Sequence, residues 1–138
     1  DRLKLKRTSA GLSVLDIIRK KYIILQPEEL VRQLLIHYLI DVGYPKEKIQ
    51  VEKGLHINGL SRRFDIVIYD AHFRPYLLVE CKSHKVAISQ ATFDQIARYN
   101  LGLQAPYLLV TNGRQTYACA LNFEEKKVTY MDQLVRFQ

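Results

Sequence analysis

The chain has 138 residues, 48% apolar and 25% charged, which suits one domain with a single core and is too short for two. No apolar run approaches membrane-spanning length, no signal peptide is visible, and Cys81 and Cys119 lack metal spacing, so a cytoplasmic protein with reduced thiols is expected, without membrane contact or zinc. The formal charge of +7 is uneven: residues 1–21 hold seven Lys or Arg against Asp1 and Asp16, and the remainder holds 14 against 12. Such a basic arm suits a polyanion, although charge alone favours a solubilising surface. Residues 1–138 read as one domain, with a basic arm and hairpin over 1–26, a core over 27–122 and a C-terminal extension over 123–138. The chain begins at Asp1 rather than Met, so a longer parent is expected.

In chain order, Leu12 to Ile18 and Tyr22 to Leu25 read as extended segments of a hairpin around Arg19-Lys20-Lys21. Pro27 fits a first helical position, and Glu28 and Glu29 suit the positive end of a helix dipole. Leu30, Val31, Leu34, Leu35, Tyr38 and Leu39 recur at helical spacing and predict a helix to about Val42, ending at Gly43. Glu28 borders the stripe of Val31, Leu35 and Leu39, whereas Glu29 stands three residues after Gln26, where a glutamate completes a capping box. Ile49 to Ile57 reads as a strand closed by Asn58-Gly59, with Glu52 and Lys53 as a surface ion pair in preference to Glu52 approaching the site from an adjacent strand.

Arg62 to Asp70 and Pro75 to Lys82 form two β-branched, aromatic runs separated by a short turn, predicting an antiparallel hairpin. Side chains alternate along a strand, so Glu80 and Lys82 share one face and Cys81 takes the other. Asp65 falls at the same end of the hairpin. Two carboxylates there repel, and a hard divalent cation would satisfy both, Mg²⁺ usually taking one or two carboxylates with water and substrate phosphate. Lys82 is then placed to orient or deprotonate a water, or to stabilise charge on a phosphate. Arg62 and Arg63 are candidates for backbone phosphate contacts and equally for solvated strand-entry charges. Ser83 and Lys85 in the following loop are candidates for the same contacts; His84 as a general base is disfavoured, and His37, His56 and His72 have no ligand spacing.

Ser89 is a good N-cap for a helix from Gln90 to Leu103 with Phe93, Ile96, Ala97 and Leu101 on its apolar side, and Gln95 and Tyr99 share a face. Pro106 to Val110 and Gln115 to Leu121 read as strands joined through Thr111-Asn112-Gly113, Glu124 to Lys127 as a solvated turn, and Val128 to Phe137 as a weak terminal element. The order of helix, three strands, helix and two strands gives an α/β architecture, a mixed sheet flanked by helices.

Asp65 followed by Glu80-Cys81-Lys82 resembles the metal site of the PD-(D/E)XK nuclease superfamily. The segments Pro27 to Gln33, Val79 to Lys82 and Gln95 to Asn100 resemble the type I restriction enzyme R-subunit N-terminal domain family, over about residues 15–120. The resemblance implies a restriction-endonuclease-like αβββαβ core and a Mg²⁺-dependent nuclease, with Mn²⁺ as a substitute, acting on nucleic acid, foremost DNA, and leaving a 5′ phosphate. It implies Asp65, Glu80, the Cys81 carbonyl and Glu28 around the metal, Lys82 orienting the attacking water, and Gln95 with Tyr99, which match a Gln-x-x-x-Tyr motif, positioning the phosphate. The resembling family domain is normally attached to a helicase translocase; these 138 residues hold no GxxxxGK[ST] loop, so joining to a motor or specificity partner in a restriction or repair assembly is expected, and one site suits a dimer or a partner for cutting both strands. The rival expectation is a catalytically silent binding or structural module of such an assembly.

Overall fold

The computed structural model describes residues 3–57 and 60–131; the expected turn at Asn58-Gly59 and the tail beyond Met131 lie outside these residues. Near the N-terminus three short strands, β1 (Leu5–Thr8), β2 (Gly11–Asp16) and β3 (Lys21–Ile24), pair antiparallel in that order. The expected hairpin is therefore β2 and β3. Its turn is closed by Asp16, whose Oδ1 accepts the backbone N–H groups of Ile18 and Arg19, both at 2.8 Å. The strand β1 was not anticipated, because all four of its residues are exposed and carry no alternation to read.

Helix α1 spans Pro27–Asp41, with Pro27 at its start and both acidic residues in its first turn. It stops at Val42, after which Gly43 takes a φ of 109° that favours glycine. Its buried face departs from the expected one. Leu34 and Tyr38 are 53% and 50% exposed, while Glu29, Val31, Arg32, Gln33, Ile36 and Leu39 are buried. The first half of the helix buries a polar row rather than an apolar stripe, which rotates the contact face away from the one that counting hydrophobic residues selects. Gln26 makes no side-chain cap, and Glu29 is drawn inward by cations instead of closing a capping box.

Six strands follow in sequential order across one sheet: β4 (Ile49–Ile57), β5 (Leu60–Tyr69), β6 (Pro75–Cys81), β7 (Tyr107–Thr111), β8 (Thr116–Asn122) and β9 (Lys127–Met131). All neighbours are antiparallel except β6 and β7, which run parallel and are joined through helix α2 (Gln90–Leu103). Ser89 caps α2 by accepting the Thr92 N–H at 3.1 Å, as its position predicts. The sheet's period of two separates two cores. Ile66, Ile68, Leu77, Val79, Cys81 and Leu109 pack with Val31, Ile36 and Leu39 of α1. Val67, Leu78, Leu108, Val110 and Cys119 pack with Phe93 and Ile96 of α2. A mixed sheet with a helix in each core is thus the observed architecture. The terminal element is firmer than expected, since Lys127 to Met131 completes the sheet by pairing with β8. Both cysteines are free and buried, and burial pushes their thiols up, Cys119 to about 11, so neither is a ready nucleophile.

Candidate active site

The pairing of β5 with β6 ends at Ile66 and Val79, so the next N–H groups of β6 need other acceptors. Asp65 supplies one: its Oδ2 accepts the Cys81 N–H at 2.7 Å, and a side chain replaces a rung of the ladder. Its Oδ1 accepts from Nη1 of Arg32 at 3.1 Å. The carboxylate is thereby fixed from two directions at the mouth between two strands.

Glu80 leaves β6 on the face opposite Cys81, as alternation requires. It is partly buried and lies within hydrogen-bonding reach of Asp65, while Nζ of Lys82 stands 3.2 Å from its Oε2. Burial, then the neighbouring negative charge of Asp65, pushes the Glu80 carboxyl up to about 7, against the opposing pull of Lys82. The reciprocal effect holds for Lys82. Partial burial favours its neutral form, but Glu80, Glu28 and Asp65 together outweigh that and raise its pKa. Lys82 is therefore an ammonium at neutral pH, suited to orienting and electrostatic stabilisation and not to taking a proton.

The two glutamates of the first turn part company. Glu28 is exposed, yet partial desolvation of its carboxyl and the charge of Asp65 raise its pKa, and Lys82 and Arg32 act on it in the opposite sense. It lies near enough to Asp65, Arg32 and Lys82 to feel their charge. Glu29 is buried among donors: Arg19 Nη2 and Arg32 Nη2 at 2.8 Å each, Gln33 Nε2 at 2.9 Å and Arg32 Nε at 3.2 Å. Gln33 Nε2 also reaches Asp16 Oδ2 at 2.9 Å, and Arg19 Nε reaches the same oxygen at 2.6 Å. A continuous chain of charges thus runs from the β2–β3 turn through α1 to Asp65.

Sequence reasoning missed Asp16, Arg19, Arg32 and Gln33. The available signal was Glu29, Arg32 and Gln33 at spacings of three and four residues, a polar row on the side of the helix that turns inward. Glu52 was read as half of a surface ion pair with Lys53. It is partly exposed but pairs with Arg32 at 3.4 Å, Arg19 at 3.5 Å and Arg63 at 3.9 Å, so it joins the charge network. Its φ of 53° falls between the Val51–Ile66 and Lys53–Phe64 pairs, whose register is unchanged on either side, directly across from Asp65. A left-handed non-glycine residue is costly backbone, of a kind that clusters at functional sites.

Helix α2 lies on the face from which Glu80 projects, and it carries Gln95, which is exposed. Tyr99 sits one turn further along; its side chain lies outside the described residues, as do those of Arg62 and His56. Arg63 is exposed at the entry to the Asp65 strand. After Lys82, Ser83 Oγ accepts the Lys85 N–H at 3.1 Å, so its hydroxyl shapes the loop while Lys85 stays exposed. Among the described residues no three His, Cys, Asp or Glu side chains converge as a ready-made metal shell; Asp65 and Glu80 form a pair. No helix among the described residues is long and apolar enough to cross a membrane.

The fold resembles that of a solved fragment from Vibrio vulnificus YJ016 described as "a putative HsdR subunit of a type I restriction enzyme", with a TM-score of 0.57 and 16% identity over 80% of this chain. The chain spans 23% of that longer protein. A comparison with curated proteins finds no match. The family described as type I restriction enzyme R protein N terminus (HSDR_N) matches residues 27–134, from the first turn of α1 to beyond β9 and through every element that builds the carboxylate site. The chain belongs to that family.

Proposed function

We propose that this domain is a Mg²⁺-dependent nuclease of the PD-(D/E)XK type that hydrolyses phosphodiester bonds of nucleic acid, foremost DNA. The observation that carries the reading is the Asp65–Glu80 carboxylate pair with the Lys82 ammonium 3.2 Å from Glu80. The residues fit a hard cation: the donors are oxygens, and burial together with the charge of Asp65, which lift Glu80 to about 7, are penalties that a dication relieves. Asp65, Glu80 and the Cys81 carbonyl would hold it, with Glu28 completing the shell directly or through water. Bound there, Mg²⁺ (or Mn²⁺) would supply Lewis acidity, making water a better nucleophile and neutralising phosphate charge.

The chain's own residues carry the remaining tasks. Lys82 orients the attacking water and stabilises charge growing on the phosphate. Gln95 and Tyr99 on α2 position the scissile group, and Arg62, Arg63, Ser83 and Lys85 contact flanking phosphates. Arg32 contributes by holding Asp65 in place. Family membership, and a structural relative of which this chain covers under a quarter, support a place in a larger restriction-type assembly in the cytoplasm, or as a homodimer where both strands are cut.

A second reading, a silent nucleic-acid-binding or structural module, is favoured by one observation. Asp65 is already engaged on both oxygens, by Arg32 and by the Cys81 N–H, and no third carboxylate closes the shell among the described residues. Supercoiled plasmid, linear duplex and single-stranded DNA incubated with Mg²⁺, Mn²⁺ or EDTA separate the two. The nuclease reading expects metal-dependent cutting that Asp65→Ala and Lys82→Ala both abolish. Absence of cutting, with no Mn²⁺ heat in calorimetry, sinks it and leaves the binding module.

A further inference from the structure

On the α2 side of the six-stranded sheet, Phe93, Tyr117 and Tyr130 form an aromatic cleft of about 540 Å³ with Ser89, Gln90 and Thr116 at its edge, a volume typical of small-ligand sites. Tyr117 and Tyr130 are 39% and 57% exposed, and the Phe93 and Tyr130 rings are 5.6 Å apart at 39°. Large exposed rings that gather around a cleft have a use beyond packing. Their position relative to the carboxylates follows from register. Glu80 is opposite Val110 and Val110 is opposite Tyr117, so the three project from one face. Two strand spacings separate Tyr117 from Glu80, about 10 Å, on the order of three nucleotide steps at duplex spacing.

The polar groups at the cleft edge are already engaged. Ser89 Oγ accepts the Thr92 N–H and meets Thr92 Oγ1 at 3.0 Å, Thr116 Oγ1 meets Thr111 Oγ1 at 2.8 Å, and Gln90 Nε2 donates to Asp94 at 2.9 Å. What remains open is ring surface. Among the described residues no acidic one lines the cleft. The loops entering it carry exposed Lys85 and Arg114 and are tied together by Asn112 Nδ2 donating to the Val86 carbonyl at 2.8 Å. Aromatic faces with cations on the adjoining loops and few free hydrogen-bonding groups suit a stacked base on a polyanionic backbone, held without regard to sequence.

We propose that this cleft takes an unpaired base of single-stranded DNA, stacked on Tyr117 and Tyr130, with the strand continuing toward Glu80 and Lys82. The direction of the strand rests on the nuclease reading; the stacking does not. Fluorescence anisotropy in EDTA, where no metal-dependent cutting occurs, measures binding of a labelled oligothymidine, the matching oligouridine and a duplex. The proteins are the wild-type chain, Tyr117→Ala/Tyr130→Ala and Tyr117→Phe/Tyr130→Phe.

The alanine variant should lose roughly five- to hundredfold in single-strand affinity, with duplex affinity unchanged and the phenylalanine variant close to wild type. Tighter oligouridine binding with the same tyrosine dependence assigns the cleft to RNA and overturns DNA as its source. Wild-type single-strand affinity in the alanine variant, an equal loss on duplex, a loss shared by the phenylalanine variant, or no single-strand binding by wild type each overturns the proposal. Cutting by wild type beside unchanged single-strand binding by the alanine variant removes the cleft and keeps the nuclease. Tyrosine-dependent binding without any cutting does the reverse.

Discussion

Glu80 and Lys82 each favour the other's charged form, but burial and Asp65 prevail at Glu80. An acid held above its unfolded value binds its proton more tightly in the fold, so Glu80 should make folding stability fall as pH rises from about 4.3 toward 7 and leave it level beyond. In the absence of divalent cations Glu80→Gln should remove that slope and raise the melting temperature at pH 8, read by circular dichroism; an unchanged slope would mean that neither burial nor Asp65 lifts this carboxyl. Asp16 carries the opposite sign. Burial raises its pKa, but the donors of Arg19 and Gln33 prevail and hold it below the usual carboxylate range. Its contribution is complete above its unfolded pKa near 4 and is lost as pH falls through the lower folded value. Asp65, Glu80 and Lys82 were legible because alternation along a strand is set by backbone geometry. Arg32, 33 residues before Asp65, was not, because only the packing of α1 on the sheet brings guanidinium and carboxylate together.

At the scale of elements, α1 is both a wall of the core and the support of the site. Arg32 is buried between Glu29, Glu52 and Asp65, so Arg32→Ala would leave inward-facing carboxylates without their cation. The expected cost is about 3–5 kcal/mol in urea unfolding, with Lys a poor replacement because it cannot reproduce the guanidinium fork. A loss below 1 kcal/mol would mean that water compensates the acids and that Arg32 does not position Asp65. Helix α2 depends on a simpler device. Ser89→Ala should cost about 1 kcal/mol and Ser89→Asp should recover most of it, since the cap satisfies an N–H that otherwise has no intrahelical partner. The capping residue and both helix ends were readable from local chemistry. The rotation of α1 was not, because Leu34 and Tyr38 fit a helical period as well as the residues that are buried.

For the molecule as a whole, the basic end is a three-stranded sheet beside the six-stranded one rather than a hairpin alone. Lys4, Lys6 and Lys21 are exposed on it, and Lys6 lies 5.2 Å over the ring of Tyr22. If the sheet meets the same nucleic acid as the carboxylate site, replacing the three lysines by alanine should weaken binding regardless of sequence. It should also lower the slope of log affinity against log salt by roughly 0.7 to 0.9 per lost contact. An unchanged slope would assign these lysines to solubility. The sheet topology was largely legible. Seven strands were anticipated, and the crossover from β6 to β7 follows from a helix of 14 residues between two apolar runs. The strand β1 and the full pairing of β9 escaped because exposed edge strands gain their form from a neighbour's unpaired backbone groups rather than from their own pattern.

By itself the sequence determined both helices and seven of the strands, which strand residues share a face, and that Asp65, Glu80 and Lys82 stand at one end of the sheet. Those properties follow from caps, turns and the fixed periods of the backbone. Tertiary structure alone decided that Arg32 and Glu29 join Asp65 to a buried charge network, that Glu52 takes a left-handed backbone opposite the site, and that Tyr117 and Tyr130 gather around a cleft on Glu80's face. These depend on distances between segments remote in the chain, and electrostatic and stacking contacts are decided by a few ångströms that no local period encodes.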